Sequence, residues 1–342
     1  MFFLPVLLTL LLPGQLSPPF DHVLIISVDG MRGDALGVWG EEGLPVFHSL
    51  WDVGTVNART DPLHTKTMPN HTGMMTGRLA EGEGGHGWLT NRDDPDGGTL
   101  QENLGGALTS FFDVAHSDGV RTYLFGGKGK FDLFTRSWQE VLDVVFVNDL
   151  SDIATTEVEN GMPLDEALLA PSEEVVDALL ERWDPQRRSL VFLHLAAPDG
   201  AGHTEGWNLS LDSLYGRALM GTDALVGRVL THIEGSRGLA GRTALILTSD
   251  HGGGAPHRHH DRPELWVDFA IPFLVWIGGD GGGQDLYLLN PQRVEPGILL
   301  GDAPIRNSDG ANLALALLGL PAIEGSTQNS SQDLRVYPFP AR

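Results

Sequence analysis

Thr243-Ala-Leu-Ile-Leu-Thr-Ser-Asp250-His251-Gly-Gly-Gly-Ala-Pro-His257-Arg-His259-His260-Asp261 is the stretch from which the rest of the chain is read. Residues 243–249 are β-prone and uncharged, as a buried strand is. Asp250 stands just beyond that run, and the glycines after it let the backbone turn sharply. Four of the thirteen histidines fall in this stretch, with Asp250 and Asp261 beside them. Carboxylate and imidazole on the stiff end of a strand are the donors that a zinc-type cation takes. A polar turn that happens to hold histidines is the simpler alternative.

Two other apolar runs repeat the design. Val23-Leu-Ile-Ile-Ser-Val28 leads to Asp29-Gly30, and Ser189-Leu-Val-Phe-Leu-His-Leu195 leads through Ala-Ala-Pro to Asp199-Gly-Ala-Gly-His203. One Asp-Gly after a strand is most simply a turn. Three strands that each lead into an aspartate, two with a histidine close by, form a constellation. In open α/β sheets the ligand crevice lies at the carboxyl ends of the strands. If the three strands are neighbours, Asp29, Asp199 and Asp250 share one low-dielectric edge, which three carboxylates do only with cations between them. Two divalent ions about 4 Å apart would neutralise them.

Residues 61–78 hold Lys66-Thr67-Met-Pro69-Asn70-His71. Pro69 suits the first turn of a helix and puts Thr67 at its amino end. A hydroxyl there meets free N–H groups and the positive end of the helix dipole. That suits an alkoxide or a phosphoryl oxygen, and equally a plain N-cap. Residues 82–98 form a glycine-rich loop carrying Asn91. Helices are predicted over 100–116, 172–183 (capped by Ser172), 211–234 and 311–318. Strands are predicted over 120–125, 144–147 and 271–277, and irregular chain over 157–170. Gly126-Gly-Lys128-Gly-Lys130 lacks the spacing and the hydroxyl of a P-loop. The alternation predicts an α/β fold, a three-layer sandwich around a central, largely parallel sheet.

At 342 residues the chain can close a large core. A net charge of −23 argues against nucleic acid as a partner. There is no cysteine, so any metal must be held by His, Asp, Glu or a hydroxyl. Only three lysines occur, Lys66, Lys128 and Lys130, against nineteen arginines. Their scarcity and placement assign them to an anionic substrate, with Lys128 as a candidate substrate-binding residue. Residues 1–12 are almost wholly apolar but too short to span a bilayer. With residues 13–19 they suit a secretory signal, although no basic residue precedes the apolar run. The expectation is an exported chain with one catalytic domain over 20–342; the alternative is a frayed terminus of a cytosolic protein.

In order along the chain stand Ser27-Val-Asp29-Gly-Met-Arg, Lys66-Thr67-Met-Pro-Asn-His, His86-Gly-Trp-Leu-Thr-Asn91, Pro198-Asp199-Gly-Ala-Gly-His203, Thr222-Asp-Ala-Leu-Val-Gly and Ser249-Asp250-His251-Gly. This ordered set resembles the alkaline phosphatase superfamily, in its type I phosphodiesterase/nucleotide pyrophosphatase branch, and the tail from Arg306 to Ser326 resembles the close of bacterial members. The resemblance implies an alkaline-phosphatase-like fold and hydrolysis of a small-molecule phosphate ester with two divalent, zinc-type ions. One ion would be bound by Asp29, Thr67, Asp250 and His251, the other by Asp199, His203 and a third histidine. The His-x-Asp pattern of His259 and Asp261 singles out His259, followed by His260 and then His257. Thr67 would be the nucleophile and Asn91 would hold a phosphoryl oxygen. A sulfatase shares the fold but needs Cys/Ser-x-Pro-x-Arg, and Thr67-Met-Pro69-Asn70-His71 lacks the arginine. A phosphomonoesterase and a metal-binding relative without catalysis are the other readings. A diesterase needs a slot for its second ester group, for which Trp88, Trp207 and Trp266 are candidates, although core packing is the commoner fate of tryptophan.

Overall fold

Alternation along three apolar strands builds the molecule. The computed structural model describes residues 20–148, 158, 161–262, 264–279, 282–296 and 303–337, so the signal expected over 1–19 lies outside the described residues. Its strands are β1 (His22–Val28), β2 (Val53–Arg59), β3 (Arg121–Gly126), β4 (Val144–Val147), β5 (Ser189–Leu195), β6 (Thr243–Thr248), β7 (Ala270–Trp276) and β8 (Gln284–Asp285). They form one sheet in the order β4-β3-β5-β1-β6-β7-β2-β8. Successive side chains of a strand face opposite ways. Val23, Ile25, Leu190, Phe192, Ala244 and Ile246 therefore enter one core, and Leu24, Ile26, Val191, Leu193, Leu245 and Leu247 enter the other. Helices cover both faces, which makes the three layers, and a strand buried on both faces has to be apolar throughout.

The first core is covered by the helices Thr67–Thr76, Phe111–Ser117 and Asp309–Leu317, and the second by Leu164–Arg182 and Leu214–Gly235. β7 is the exception to the parallel order and runs antiparallel to both β6 and β2. That reversal was not legible in its apolar run. It returns the chain beside β6, so the histidine-rich connection stays at the carboxyl edge of the sheet.

Three predicted elements differ in the structure. The helix expected over 100–116 is two helices, Leu100–Leu104 and Phe111–Ser117, because Gly105 ends the first in the left-handed conformation. Each has its own capping box, Thr99 with Glu102 and Ser110 with Asp113. The helix expected from Ser172 begins at Leu164, with Asp165 and Glu166 in its first turn and Pro171 inside it. Ser172 is buried in that helix and is not its cap. The segment after β5, whose glycines suggest a turn, is the helix Ala197–Glu205. Gly202 is needed there because the indole of Trp207 lies where a Cβ would stand.

Candidate metal and catalytic centre

Four neighbouring strands deliver the centre to one edge. Val28 of β1 is level with Leu195 of β5, and Ser27 with Thr248 of β6, so these strands end together. Asp29 follows β1 directly, Asp250 stands two residues past β6, and Lys128 stands two past β3. Asp199 lies in the first turn of the helix after β5, and His203, one turn on, projects from the same side. β2 also ends at this edge and leads through residues 60–66 to Thr67. Gly30, at φ +73°, lets the chain pass against the backbone of Asp199, where a Cβ would stand 3.0 Å from its Cα.

The three aspartates and His251 are buried. His251 Nε2 lies 3.3 Å from Asp250 Oδ2, 3.4 Å from Asp29 Oδ1 and 3.8 Å from Asp199 Oδ1. None of these four atoms has a hydrogen-bond partner. His251, His260 and His203 share one tautomer. His251 Nδ1 donates to the Gly252 carbonyl at 2.9 Å, His260 Nδ1 to that of Thr65 at 2.6 Å, and His203 Nδ1 to that of Arg258 at 2.7 Å. Each Nε2 is thus left with a lone pair; that of His203 is 3.3 Å and that of His260 3.8 Å from Asp199 Oδ1. Burial lowers the pKa of His251, and burial with the adjacent His251 lowers that of His260 well below the usual range, so both are neutral. Lone pairs facing carboxylate oxygens repel one another unless a cation lies between them. Among the described residues two groups of three donors are close enough to hold an ion, Asp29 with Asp250 and His251, and Asp199 with His251 and His260. The donor set fits a divalent cation of the zinc type.

Lys128 sets the charge balance. Its Nζ is 2.6 Å from Asp29 Oδ2 and 2.6 Å from Asp199 Oδ2. Burial would raise the pKa of Asp29, but the Lys128 ammonium and the His194 hydrogen bond hold it well below the carboxylate range. Burial and the neighbouring Asp29 push Asp250 well above that range. His194 accepts the Gly127 N–H at Nδ1, 3.1 Å, and so donates from Nε2 to Asp29 Oδ2 at 2.9 Å.

Thr67 is the first residue of its helix. Lys66 is the N-cap residue and no side chain caps the helix, so the N-cap alternative for Thr67 does not hold. Its neighbours are pinned instead. Asn70 donates to the carbonyls of His64 and Lys66, and His71 Nδ1 donates to the Thr67 carbonyl while Nε2 accepts from Ser27 Oγ at 2.9 Å. Asn91 Oδ1 accepts from the Met68 N–H and from Lys130 Nζ, both at 3.1 Å. Its amide N–H groups are thereby left as the donors at the amino end of this helix. Beside it opens a cavity of about 790 Å³ lined by Lys66, Trp88, Leu89, Asn91, Arg92 and Pro95 among others.

The structure thus brings Asp29, Asp199, His203, Asp250, His251 and His260 together, and puts Asn91 at the first turn of the Thr67 helix. His259, which the His-x-Asp pattern singles out, is exposed, with its ring 5.7 Å from that of His203; His260 is the histidine that enters the cluster. Lys128 lies on the carboxylates and is not among the residues lining the cavity. Of the three tryptophans, Trp88 lines the cavity, whereas Trp207 is fully buried, its ring against His203 and His260. Trp266 is partly exposed and does not line the cavity. Sequence reasoning missed His194 and His71. The one available signal was a histidine inside the otherwise apolar run 189–195.

The family model for type I phosphodiesterase / nucleotide pyrophosphatase matches residues 23–292. Ectonucleotide pyrophosphatase/phosphodiesterase family member 1 of Mus musculus is 30% identical over 246 residues, covering 69% of this chain and 24% of that protein. A 2,3-bisphosphoglycerate-independent phosphoglycerate mutase of Syntrophotalea carbinolica is 32% identical over 137 residues, 37% of this chain and 23% of that protein. The chain thus spans about a quarter of the length of these relatives. Among solved structures, murine ectonucleotide pyrophosphatase/phosphodiesterase 5, in an inactive form in complex with AMP, gives a TM-score of 0.58 at 17% identity, covering 91% of this chain and 99% of that one. Phosphonate monoester hydrolase from Silicibacter pomeroyi gives 0.59 at 15% identity, covering 90% and 75%. These two share the fold, that of the alkaline phosphatase superfamily, and from the family model and the mouse relative the chain belongs to the type I phosphodiesterase / nucleotide pyrophosphatase family.

Proposed function

We propose that the chain is a metal-dependent hydrolase that cleaves phosphodiester or pyrophosphate bonds of a small molecule through a phosphothreonine on Thr67. The observation that carries this is the convergence of buried, partnerless carboxylate oxygens and imidazole lone pairs. Asp29, Asp250 and His251, with the Thr67 hydroxyl, would hold one divalent ion; Asp199, His260 and His203 would hold a second. When bound, such ions supply Lewis acidity and offset the charge of the carboxylates.

The residues of the chain do the rest. Asn91 presents its N–H groups to a phosphoryl oxygen, and the amino end of the Thr67 helix adds the positive end of its dipole. Thr67 Oγ1 attacks phosphorus, the bond from phosphorus to the leaving oxygen breaks, and the hydroxyl proton passes by way of solvent to that departing oxygen. Water then cleaves the bond between phosphorus and Thr67 Oγ1, restoring the hydroxyl. The cavity beside Asn91 has room for the second substituent of a diester, and its size is that of a small-molecule site. This favours a diester over a monoester. The apolar run at residues 1–12 and the ecto- names of the mammalian relatives support export. Among the described residues no helix is long and apolar enough to cross a membrane.

The test is hydrolysis of bis-p-nitrophenyl phosphate, p-nitrophenyl phosphate and p-nitrophenyl sulfate, with metal stripped and zinc restored. Zinc-dependent turnover dominated by the diester is expected. Dominance of the monoester would make the chain a phosphatase, and no turnover of any of the three would leave a metal-binding relative.

A further inference from the structure

His260 is buried, whereas its neighbours His259 and Asp261 are both exposed. One residue of a surface loop is thus turned inward. The two ends of that loop meet on Asp268: the Gly252 N–H donates to the Asp268 carbonyl at 2.9 Å, and the Arg262 N–H to Asp268 Oδ2 at 3.2 Å. Neither contact touches His260. The residue that does so is Thr65. Its hydroxyl donates to the His260 carbonyl, while His260 Nδ1 donates to the Thr65 carbonyl at 2.6 Å. Each side chain holds the other's backbone, and both residues are buried.

Thr65 is itself fixed against the Thr67 helix. The carbonyls on either side of it, those of His64 and Lys66, accept from Asn70 of that helix at 2.8 and 3.0 Å. The Asp61 carboxylate accepts the N–H groups of Leu63 at 2.8 Å and His64 at 3.1 Å, and Asn70 Oδ1 accepts the N–H of Asp61 at 2.9 Å. Segment 61–66 is therefore one body with the helix that carries Thr67, and His260 is attached to that body.

We propose that Thr65 is a positioning residue: through its hydroxyl it seats His260 on the segment that carries Thr67, and so sets the cation held by Asp199, His203 and His260 at a fixed place relative to Thr67 Oγ1. The inference rests on the metal reading given above. The task needs a hydroxyl. Valine has the shape of threonine without the donor and leaves the buried His260 carbonyl unpartnered, which favours the loop turning out toward water. A group that orients a ligand without touching the metal typically sets metal affinity by about 10- to 100-fold.

Zinc titration against a competing chelator tests it, on the full chain as native protein, Thr65→Val and Thr65→Ser. In Thr65→Val one bound ion should be weaker by about 10-fold or more, with the other unchanged. Thr65→Ser, which keeps the hydroxyl, should bind zinc as the native protein does. Diester turnover by Thr65→Val should fall at zinc levels that saturate the native protein and recover when zinc is raised further. Circular dichroism of each variant checks folding, and Thr65→Ala, which lacks the same donor, replaces the valine variant if that one fails to fold. Native affinities in Thr65→Val, equal weakening of both ions, the same weakening in Thr65→Ser, or a loss of turnover that zinc does not restore would overturn the proposal while leaving the metal reading intact. No zinc bound by the native protein would remove both.

Discussion

At the scale of single residues, Thr67 is distinguished by what surrounds it. Its carbonyl accepts from His71, and Asn70 and Asn91 order the chain on either side. No side chain caps that buried helix, and on the proposed reading the Thr67 hydroxyl at its amino end is the nucleophile. Thr67→Ala removes the hydroxyl and little else, since a helix accepts alanine well. The expected outcome is a loss of at least about 10³-fold in turnover of the diester, as befits a nucleophile, with the zinc content reduced by less than half. Activity and metal analysis on the same preparation check this, and a variant that turns over at the native rate would remove Thr67 from the mechanism.

At the scale of elements, the centre is held by contacts between segments distant in sequence. Trp207 donates from Nε1 to the Gly30 carbonyl at 3.2 Å and occupies the space where Gly202 and Gly253 would carry a Cβ. It thereby joins the loops after β1 and β6 to the helix after β5. Asn307 donates to Asn70 Oδ1 and to the Ser249 carbonyl, tying the tail of the chain to the Thr67 helix. Asp223, in one of the resembling motifs, has a structural task. Its carboxylate accepts from the N–H groups of Phe47 at 2.7 Å and Val46 at 3.2 Å, joining the long helix Leu214–Gly235 to the short helix Pro45–Ser49. Burial raises its pKa to about 6 despite these hydrogen bonds. A carboxyl whose pKa is higher folded than unfolded adds stability that is complete below the unfolded value and is lost as pH rises through the folded one. The stability of the native protein relative to Asp223→Asn should therefore fall by on the order of 2 kcal/mol between pH 4 and pH 7. Denaturant unfolding of both proteins at the two pH values measures it; a constant difference would show that Asp223 does not titrate in this window.

At the scale of the whole molecule, the sheet concentrates unlike tasks at one edge. Its interior is apolar and held by two cores, while its carboxyl edge collects three acids, three imidazoles and an ammonium. Without a cation that edge carries repulsion that folding has to overcome. An ion that binds only the folded chain stabilises it by mass action, by about 2.7 kcal/mol at a free concentration 100 times its Kd. Adding zinc to chelator-treated protein should raise the melting temperature by several degrees, and excess chelator should reverse the rise. A melting temperature indifferent to zinc would count against a metal centre.

Much of this was legible in the sequence, because apolar periodicity and glycine placement are local signals. The runs that become β1, β5 and β6, the acids that follow them and the proline in the first turn of the Thr67 helix could all be read there, and with them the α/β class. What the sequence could not determine was set by contacts across the fold. Asp29, Asp199 and Asp250 meet because the order is β5-β1-β6, and strand order is decided by the packing of helices on both faces. His260 rather than His259 turns inward because its Nδ1 finds the Thr65 carbonyl and its ring stacks on His251 at 3.5 Å between centroids. Lys128 lies on two carboxylates because β3 ends beside β5. Local pattern decides what each segment becomes, whereas the direction a side chain faces in a loop depends on partners that lie tens to hundreds of residues away.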